Sequence, residues 1–189
     1  MAAAARTTQT RTRAPNVIVG LGRTGLSCAR YLARRGEAFA VTDSRREPPE
    51  LKHLHELAPQ APVHVGGFDT ALLDGAALVI ASPGVSLREP FLVEAARRSI
   101  PIIGDIELFA RNATAPIAAI TGTNGKSTVT TLVALMAQEA GRNTLAGGNL
   151  GRPALELFNE PTPELYVLEL SSFQLETTQS LRCASAAVL

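Results

Sequence analysis

The chain has 189 residues, of which 46% are hydrophobic and 19% charged, and its formal net charge is +1. This composition is typical of a globular protein and excludes a wholly disordered chain or a coiled coil. The length allows one large domain or two small ones. Because nucleic-acid binding needs a basic surface and stacking side chains, the near-neutral charge and the 4% aromatic content predict no nucleic-acid partner. No apolar run reaches the 18 residues of a membrane span, so we expect no membrane partner either.

Residues 1–15 contain no acidic side chain and are rich in alanine, threonine and arginine. They lack the long apolar segment of a secretory signal, so we interpret them as a disordered tail. An organelle transit peptide is the alternative, although no amphipathic pattern favours it. The two cysteines, Cys28 and Cys183, lie far apart and are interpreted as buried thiols in a reducing compartment.

From residue 16 onward, short apolar runs alternate with helix-length segments. The predicted strands cover 17–21, 38–43, 62–66, 77–82 and 101–105. The predicted helices cover 24–35, a segment after Pro48-Pro49, and 87–98. Alternating strands and helices are typical of an α/β fold with a parallel sheet and right-handed crossovers. We therefore predict a first α/β domain over residues 16–112.

A second unit is predicted over residues 113–189. It has strands at 116–121, 164–172 and 183–189, and a helix over 126–139 that Gly141 terminates. The last two strands are apolar enough to be buried on both faces of a sheet. A parallel strand with no return helix after it indicates an incomplete domain, so we expect the chain to be a fragment.

The first motif with chemical meaning is the GxGxxG segment from Gly20 to Gly25, between a strand and a helix. Its glycines permit a tight turn and a close approach of the backbone to a diphosphate, beside the free N–H groups of a helix N-terminus. Asp43 ends the next strand, where a dehydrogenase would use an acid to bind the ribose of NAD. The motif favours a nucleotide site and leaves NAD open. Ser82-Pro83-Gly84 either lines this pocket or turns the chain.

The second motif is a variant phosphate-binding loop that follows the strand at 116–121. A standard loop begins with glycine where this chain has Ile120. Its backbone N–H groups would form an anion nest, Lys126 would reach the β- and γ-phosphates, and Ser127 would bind Mg²⁺. The loop residues are Thr121, Gly122, Thr123, Asn124, Gly125, Lys126, Ser127 and Thr128.

The third motif centres on Glu169, which lies in an otherwise apolar strand. An unpaired carboxylate is costly to bury, so it needs a partner. We favour Mg²⁺ at the neighbouring phosphate loop, and the alternative is an ion pair with an arginine. Gly147-Gly148 is interpreted as a flexible turn that brings Asn149 toward a ligand.

Together, seven segments between residues 16 and 189 resemble the ATP-dependent Mur ligases of peptidoglycan synthesis. They are GLGRTGLS (20–27), TDSR (42–45), ASPGV (81–85), GDIELF (104–109), ITGTNGKSTVTTL (120–132), GGNLG (147–151) and LELSSFQLE (168–176). The fourth and seventh favour the member that adds D-glutamate.

The resemblance implies a Rossmann-like domain over 16–112 that binds the UDP part of a substrate, and over 113–189 the start of a P-loop ATPase-type central domain. It implies that the C-terminal domain lies outside this chain. It places around the substrate Arg23, Thr24, Asp43, Ser44, Arg45, Gly84, Asn149, Ser171 and Gln174. It also implies that the loop from Gly122 to Thr128 binds ATP, that Lys126 is catalytic, and that Ser127 and Glu169 bind Mg²⁺.

The activity implied by the resemblance is the addition of D-glutamate to UDP-N-acetylmuramoyl-L-alanine through an acyl phosphate, in the cytoplasm, by a monomer when full length. We expect this chain alone not to complete the reaction. Two other functions stay open. An NAD-dependent oxidoreductase would leave the TGTNGKST segment and Glu169 without a role, and a non-catalytic nucleotide-binding module would need no further segment.

Overall fold

The structure is a computed structural model that describes residues 15–189; the predicted tail, apart from Pro15, lies outside the described residues. Five parallel strands form a first sheet in the order β3-β2-β1-β4-β5. The strands are β1 (Asn16–Val19), β2 (Phe39–Asp43), β3 (Val63–Val65), β4 (Leu78–Ala81) and β5 (Ile102–Ile103). The helices are α1 (Arg23–Arg34), α2 (Leu51–Leu57), α3 (Pro90–Arg97) and α4 (Asp105–Ala110), with a 3₁₀ helix at Thr70–Leu73.

The first sheet is covered on both faces because its central strands are apolar at every position. In β1, Ile18 packs into one core cluster while Val17 and Val19 pack into another, and all three side chains are fully buried. The strand order reverses between β1 and β4, the two neighbours at the centre of the sheet. In open α/β sheets such a reversal opens a crevice at the carboxyl ends of the strands, where ligands bind.

A second parallel sheet follows, in the order β7-β8-β6-β9. Its strands are β6 (Ile117–Thr121), β7 (Thr144–Gly148), β8 (Leu165–Glu169) and β9 (Ser185–Val188). Its helices are α5 (Lys126–Glu139) and α6 (Ser172–Glu176), with a 3₁₀ helix at Ala154–Asn159. The α/β fold class with parallel sheets is confirmed. Between β7 and β6, strand β8 is buried from Tyr166 to Glu169, as its apolar sequence predicts.

Some predicted elements are wrong. The strand at 183–189 was expected to be buried, but β9 is an edge strand and Val188 is 81% exposed. The Gly147-Gly148 segment is the end of β7 instead of a flexible turn. Asp105 begins α4 instead of ending the strand predicted over 101–105. The helix predicted from Leu87 begins at Pro90, which suits the first helical turn because its missing N–H is not needed there.

The two sheets share one core. Phe109 of α4 stacks on Phe158 with ring centroids 4.7 Å apart, and it meets Tyr166 of β8 edge-on at 5.1 Å. Arg30 of α1 adds an ion pair to Glu156 at 2.9 Å. Among the described residues, the structure has no helix of the length and apolar character needed to span a membrane.

Candidate functional site

The loop from β1 to α1 needs glycine at two positions for different reasons. Gly20 has a φ of +92°, a left-handed backbone conformation that side chains disfavour. A Cβ atom at Gly25 would lie only 2.0 Å from the carbonyl oxygen of Gly20. Gly22 is the N-cap of α1 and has free space around it. The helix N-terminus therefore opens toward the crevice, as the GxGxxG spacing predicts.

Asp43 stands at the end of β2 and binds protein groups with both oxygens. Its Oδ2 accepts a hydrogen bond from the backbone N–H of Leu21 at 2.6 Å. The guanidinium of Arg45 donates to both carboxylate oxygens, at 2.9 and 2.7 Å. Burial acts to raise the pKa of Asp43, but the bonds from Arg45 and Leu21 outweigh it and hold the pKa below its ordinary value. A ribose hydroxyl would have to displace one of these partners to bind Asp43.

A cavity of about 550 Å³ lies between the two sheets. The first sheet contributes the glycine loop (residues 20–25), the turn after β2 and the turn after β4. The second contributes the end of β7 and part of α6. Of the predicted substrate residues it is lined by Arg23, Thr24, Asp43, Ser44, Arg45, Gly84, Asn149 and Gln174. Ser171 lines an adjoining cavity of about 980 Å³, which shares with the first Ser82, Pro83, Gly84, Val85 and Asn149.

The turn after β4 lines the cavity and also braces the glycine loop. The hydroxyl of Ser82 donates to the carbonyl oxygen of Gly20 at 2.9 Å. Arg23, the first residue of α1, donates to the carbonyl oxygen of Gly151, which belongs to the second unit. Sequence reasoning missed Phe68 and Pro153, which also line the cavity. Neither belongs to a motif that residue spacing identifies, and Phe68 is positioned by its ring contact with Phe91.

The phosphate loop connects β6 to α5. Gly125 is the N-cap of α5 with a φ of +77°, so this position favours glycine. The ammonium of Lys126 donates to the carbonyl oxygens of Gly122 and Thr123, at 2.9 and 3.2 Å. The residues from Thr123 to Gly125 are exposed. The backbone N–H of Thr123 donates to the carbonyl oxygen of Leu189 at 3.1 Å. A loop of backbone N–H groups with one lysine ammonium has the chemistry of an anion site.

Glu169 lies at the end of β8, beside the strand that leads into the phosphate loop, as predicted. It is 2% exposed. Its Oε2 accepts from the hydroxyl of Ser127 and its Oε1 from the amide of Asn149, both at 2.7 Å. In the described part of the chain no arginine pairs with it, so the alternative, an ion pair with an arginine, does not form there. Carboxylate and hydroxyl oxygens are the donors that Mg²⁺ prefers, so these residues fit that ion.

Asn149 joins the two candidate regions. It lines the cavity between the sheets, and its side chain donates to Glu169 beside the phosphate loop. Its backbone N–H donates to the carbonyl oxygen of Glu169 at 2.8 Å. A ligand in the cavity and an anion at the phosphate loop would thus lie on either side of one residue.

Comparisons with known proteins agree with this geometry. The family profile of the Mur ligase MurD-like N-terminal domain matches residues 14–104, and that of the Mur ligase middle domain matches residues 120–188. The chain belongs to the Mur ligase family. Its curated relatives include proteins named UDP-N-acetylmuramoylalanine--D-glutamate ligase from Nitrosococcus oceani, 57% identical over 96% of this chain, and from Pseudomonas aeruginosa, 56% identical over 92%.

This Mur ligase chain spans about 40% of the length of those relatives: 40% of the Nitrosococcus protein and 38% of the Pseudomonas protein. Among solved structures, a UDP-N-acetylmuramate:L-alanyl-gamma-D-glutamyl-meso-diaminopimelate ligase from Neisseria meningitides superposes with a TM-score of 0.57 at 22% identity. That match covers 92% of this chain and 59% of the other. At this identity the likeness concerns the fold, a Rossmann-like domain followed by the beginning of the central domain.

Proposed function

We propose that this chain is the substrate- and nucleotide-binding part of a ligase that adds D-glutamate to UDP-N-acetylmuramoyl-L-alanine at the expense of ATP. The observation that carries the proposal is the position of Asn149, which lines the inter-sheet cavity and binds Glu169 beside the phosphate loop. A uridine nucleotide in the cavity would direct its acyl end toward the γ-phosphate of ATP. The names of the close relatives support the same reaction.

In the proposed reaction, an oxygen of the alanyl carboxylate attacks the γ-phosphorus of ATP. The bond to the bridging oxygen breaks, and an acyl phosphate and ADP form. The amine of D-glutamate then attacks the acyl carbon, and the tetrahedral intermediate loses phosphate to leave the amide. Lys126 and the backbone N–H groups of its loop would stabilise the charge that develops on the transferred phosphoryl group.

Ser127 and Glu169 are the residues that would hold Mg²⁺. When bound, this ion would neutralise charge on the β- and γ-phosphates of the nucleotide. In the chain itself, the hydroxyl of Ser127 is already aimed at Glu169, so the two oxygens converge from the helix and the strand. Asn149 orients the carboxylate from the other side.

On the first sheet, we propose that the glycine loop and Thr24 bind the diphosphate, while Ser44 and Arg45 lie around the uridine. Asp43 fixes the guanidinium of Arg45 and the backbone of Leu21, so its contribution to the substrate goes largely through those groups. Because its carboxylate is already occupied, this arrangement favours the uridine nucleotide over NAD. We further propose a cytoplasmic location and a monomeric state for the full-length ligase.

The test is the melting temperature of the purified chain with UDP-N-acetylmuramoyl-L-alanine, with Mg²⁺-ATP and with NAD⁺ in parallel. A ligand that binds only the native state raises the melting temperature. We expect increases with the uridine nucleotide and with Mg²⁺-ATP and none with NAD⁺. Lys126→Ala should weaken ATP binding by about 10-fold or more while leaving the uridine nucleotide unaffected. An increase with NAD⁺ alone would contradict the proposal.

The chain alone should release no ADP in the presence of ATP, UDP-N-acetylmuramoyl-L-alanine and D-glutamate, because it covers about 40% of the length of its relatives. ADP release that requires both acceptor and D-glutamate would contradict that expectation. It would also mean that the residues of this chain suffice for the ligation reaction.

A further inference from the structure

One buried hydrogen bond connects the first sheet to the substrate cavity. Asp105, the first residue of α4, is 1% exposed, and its Oδ2 accepts from Nε2 of Gln174 at 3.0 Å. These residues lie 69 positions apart in the chain. Gln174 lines the cavity from α6 and is 3% exposed. A carboxylate of the first unit therefore touches a cavity residue of the second.

The side-chain amide of Gln174 can take only one orientation in this setting. Its Oε1 accepts from the backbone N–H of Ser171 at 3.0 Å, and a backbone N–H can only donate. Its nitrogen must then face Asp105, where a carboxylate oxygen can only accept when ionised. The two contacts agree. The bond from the Ser171 N–H to Oε1, together with the bond from the Gln174 backbone N–H to the Ser171 hydroxyl oxygen, forms a capping box.

The nitrogen Nε2 carries a second hydrogen. Within residues 15–189 its one protein partner is Asp105, and Gln174 lines the cavity. The second N–H is thus available to an oxygen acceptor on a bound ligand. If the amide turned over, the ligand would meet the carbonyl oxygen of Gln174 instead, and the Ser171 N–H would face the amide nitrogen.

The backbone on both sides of Asp105 is held by close contacts. The adjacent Gly104 approaches Thr177 so closely that a Cβ atom there would lie 2.2 Å from its hydroxyl oxygen. Two residues further on, Glu107 accepts from the backbone N–H groups of Gln179 and Ser180, at 2.7 and 2.8 Å. The segment from Gly104 to Glu107 is thus attached at three points to the stretch that includes α6.

We propose that Asp105 is a positioning residue for the substrate: it aims the second N–H of Gln174 at an oxygen of the uridine nucleotide in the cavity. This inference rests on the proposed function for the identity of the ligand. It assigns a role to the GDIELF segment that its sequence does not reveal, since neither Asp105 nor Glu107 lines the cavity.

The experiment compares two substitutions in the 189-residue chain. Asp105→Asn keeps an acceptor oxygen for Gln174, whereas Asp105→Leu has a similar size and no acceptor. Calorimetry with UDP-N-acetylmuramoyl-L-alanine should give an affinity within 3-fold of wild type for Asp105→Asn and at least about 10-fold weaker for Asp105→Leu. In a Gln174→Met background, Asp105→Leu should cause no further loss.

A second readout needs no ligand. The side-chain amide signals of Gln174 in a nitrogen-15 spectrum, assigned by their loss in Gln174→Met, should exchange with solvent at least about 10-fold more slowly than those of the exposed Gln60. Asp105→Asn should keep this protection and Asp105→Leu should remove it. The comparison does not depend on which nucleotide the cavity accepts.

The outcomes distinguish a failure of the proposed function from a failure of the positioning role of Asp105. A wild-type chain that fails to bind UDP-N-acetylmuramoyl-L-alanine would contradict the proposed function, and the amide exchange would still decide whether Asp105 orients Gln174. A lower melting temperature for Asp105→Leu with unchanged affinity would show a merely structural role and overturn the inference. Fast exchange of the Gln174 amide in the wild-type chain would overturn it as well, even if Asp105→Leu did not fold.

Discussion

The two sheets follow the same α/β plan, but they are packed very differently. Helix α1 of the first sheet buries seven of its residues, whereas α5 of the second, which carries the phosphate loop, buries only Thr130 and Ala134. On α5 the side chains of Leu132, Leu135 and Met136 are each more than half exposed. The glycine loop thus rests on a closed core, while the phosphate loop is followed by a helix whose buried contacts are made by two small side chains. Elements with few buried contacts are the ones expected to open most readily.

The largest expected difference comes from truncating one large apolar side chain in each unit. Phe91 is 1% exposed in the core of the first sheet, so Phe91→Ala should lower the free energy of unfolding by about 3–5 kcal/mol. Met136 is 63% exposed, so Met136→Ala should change it by no more than about 0.5 kcal/mol. Urea denaturation measures both. Equal losses would mean that the α5 face is covered by something else.

The glycine loop of the first sheet offers a matched pair. Gly25→Ala places a Cβ atom against the Gly20 carbonyl, and we expect it to cost about 1–3 kcal/mol of unfolding free energy and to weaken uridine nucleotide binding. Gly22→Ala meets no atom within 4 Å, so it should cost less than about 1 kcal/mol. Urea denaturation and calorimetry on both variants test this. A Gly25→Ala protein as stable as Gly22→Ala would show that the loop is looser than its packing indicates.

The contact between the units should respond to pH through Asp105. Burial raises its pKa to about 6, against the lowering effect of the Gln174 amide, from an ordinary value of 3.8. Between these two values the native state binds more protons than the unfolded state, so the contribution of Asp105 to stability falls as pH rises. Asp105→Asn cannot ionise, and its stability relative to wild type should therefore rise by about 1–3 kcal/mol from pH 4 to pH 7.

Glu107 is expected to change stability with pH in the opposite direction. The quantity to measure is therefore the difference in stability between Asp105→Asn and wild type. Burial acts to raise the pKa of Glu107, but the N–H groups of Ser180 and Gln179 and the guanidinium of Arg111 lower it to about 2. Its contribution is present above its ordinary pKa and is lost as pH falls toward 2. Subtracting the Asp105→Asn curve from the wild-type curve removes this shared effect. A difference that stays constant from pH 4 to pH 7 would contradict the raised pKa of Asp105.

A small effect is also expected from the partly exposed ion pair between the units. The side chains of Arg30 and Glu156 are 41% and 22% exposed, so solvent screens their attraction. Arg30→Ala should therefore lower the free energy of unfolding by less than about 1 kcal/mol, measured by urea denaturation at low and high salt. A loss of several kcal/mol would mean that this pair, and not the packing around Phe109, joins the two sheets.

Much of the site could be predicted from sequence because its chemistry is local. The glycine loop, the phosphate loop and the strands before them are marked by spacing alone, and the predicted bounds of α5 are confirmed at both ends. The burial of Glu169 beside Ser127 follows from a carboxylate in an apolar strand next to a phosphate loop. These features need only neighbours in sequence or in adjacent strands.

What could not be predicted depends on partners far away in the chain. The carboxylate of Asp105 accepts a hydrogen bond from Gln174, and that of Glu107 accepts hydrogen bonds from residues more than 70 positions later. Asp43 shows a different limit, because spacing indicated an acid for a ribose while the structure shows its oxygens bound to Leu21 and to the nearby Arg45. The exposure of β9 could not be predicted from the sequence either, because an apolar strand has the same residue pattern whether it lies inside a sheet or at its edge.

Hydrogen–deuterium exchange of the chain with and without UDP-N-acetylmuramoyl-L-alanine tests the central claim most directly, namely that one substrate cavity is shared by both sheets. The account predicts slower exchange on both sides together, at residues 20–25, 43–45 and 82–85 of the first unit and at 148–153 and 171–174 of the second. Protection confined to the first unit, or its absence in all five segments, would contradict it.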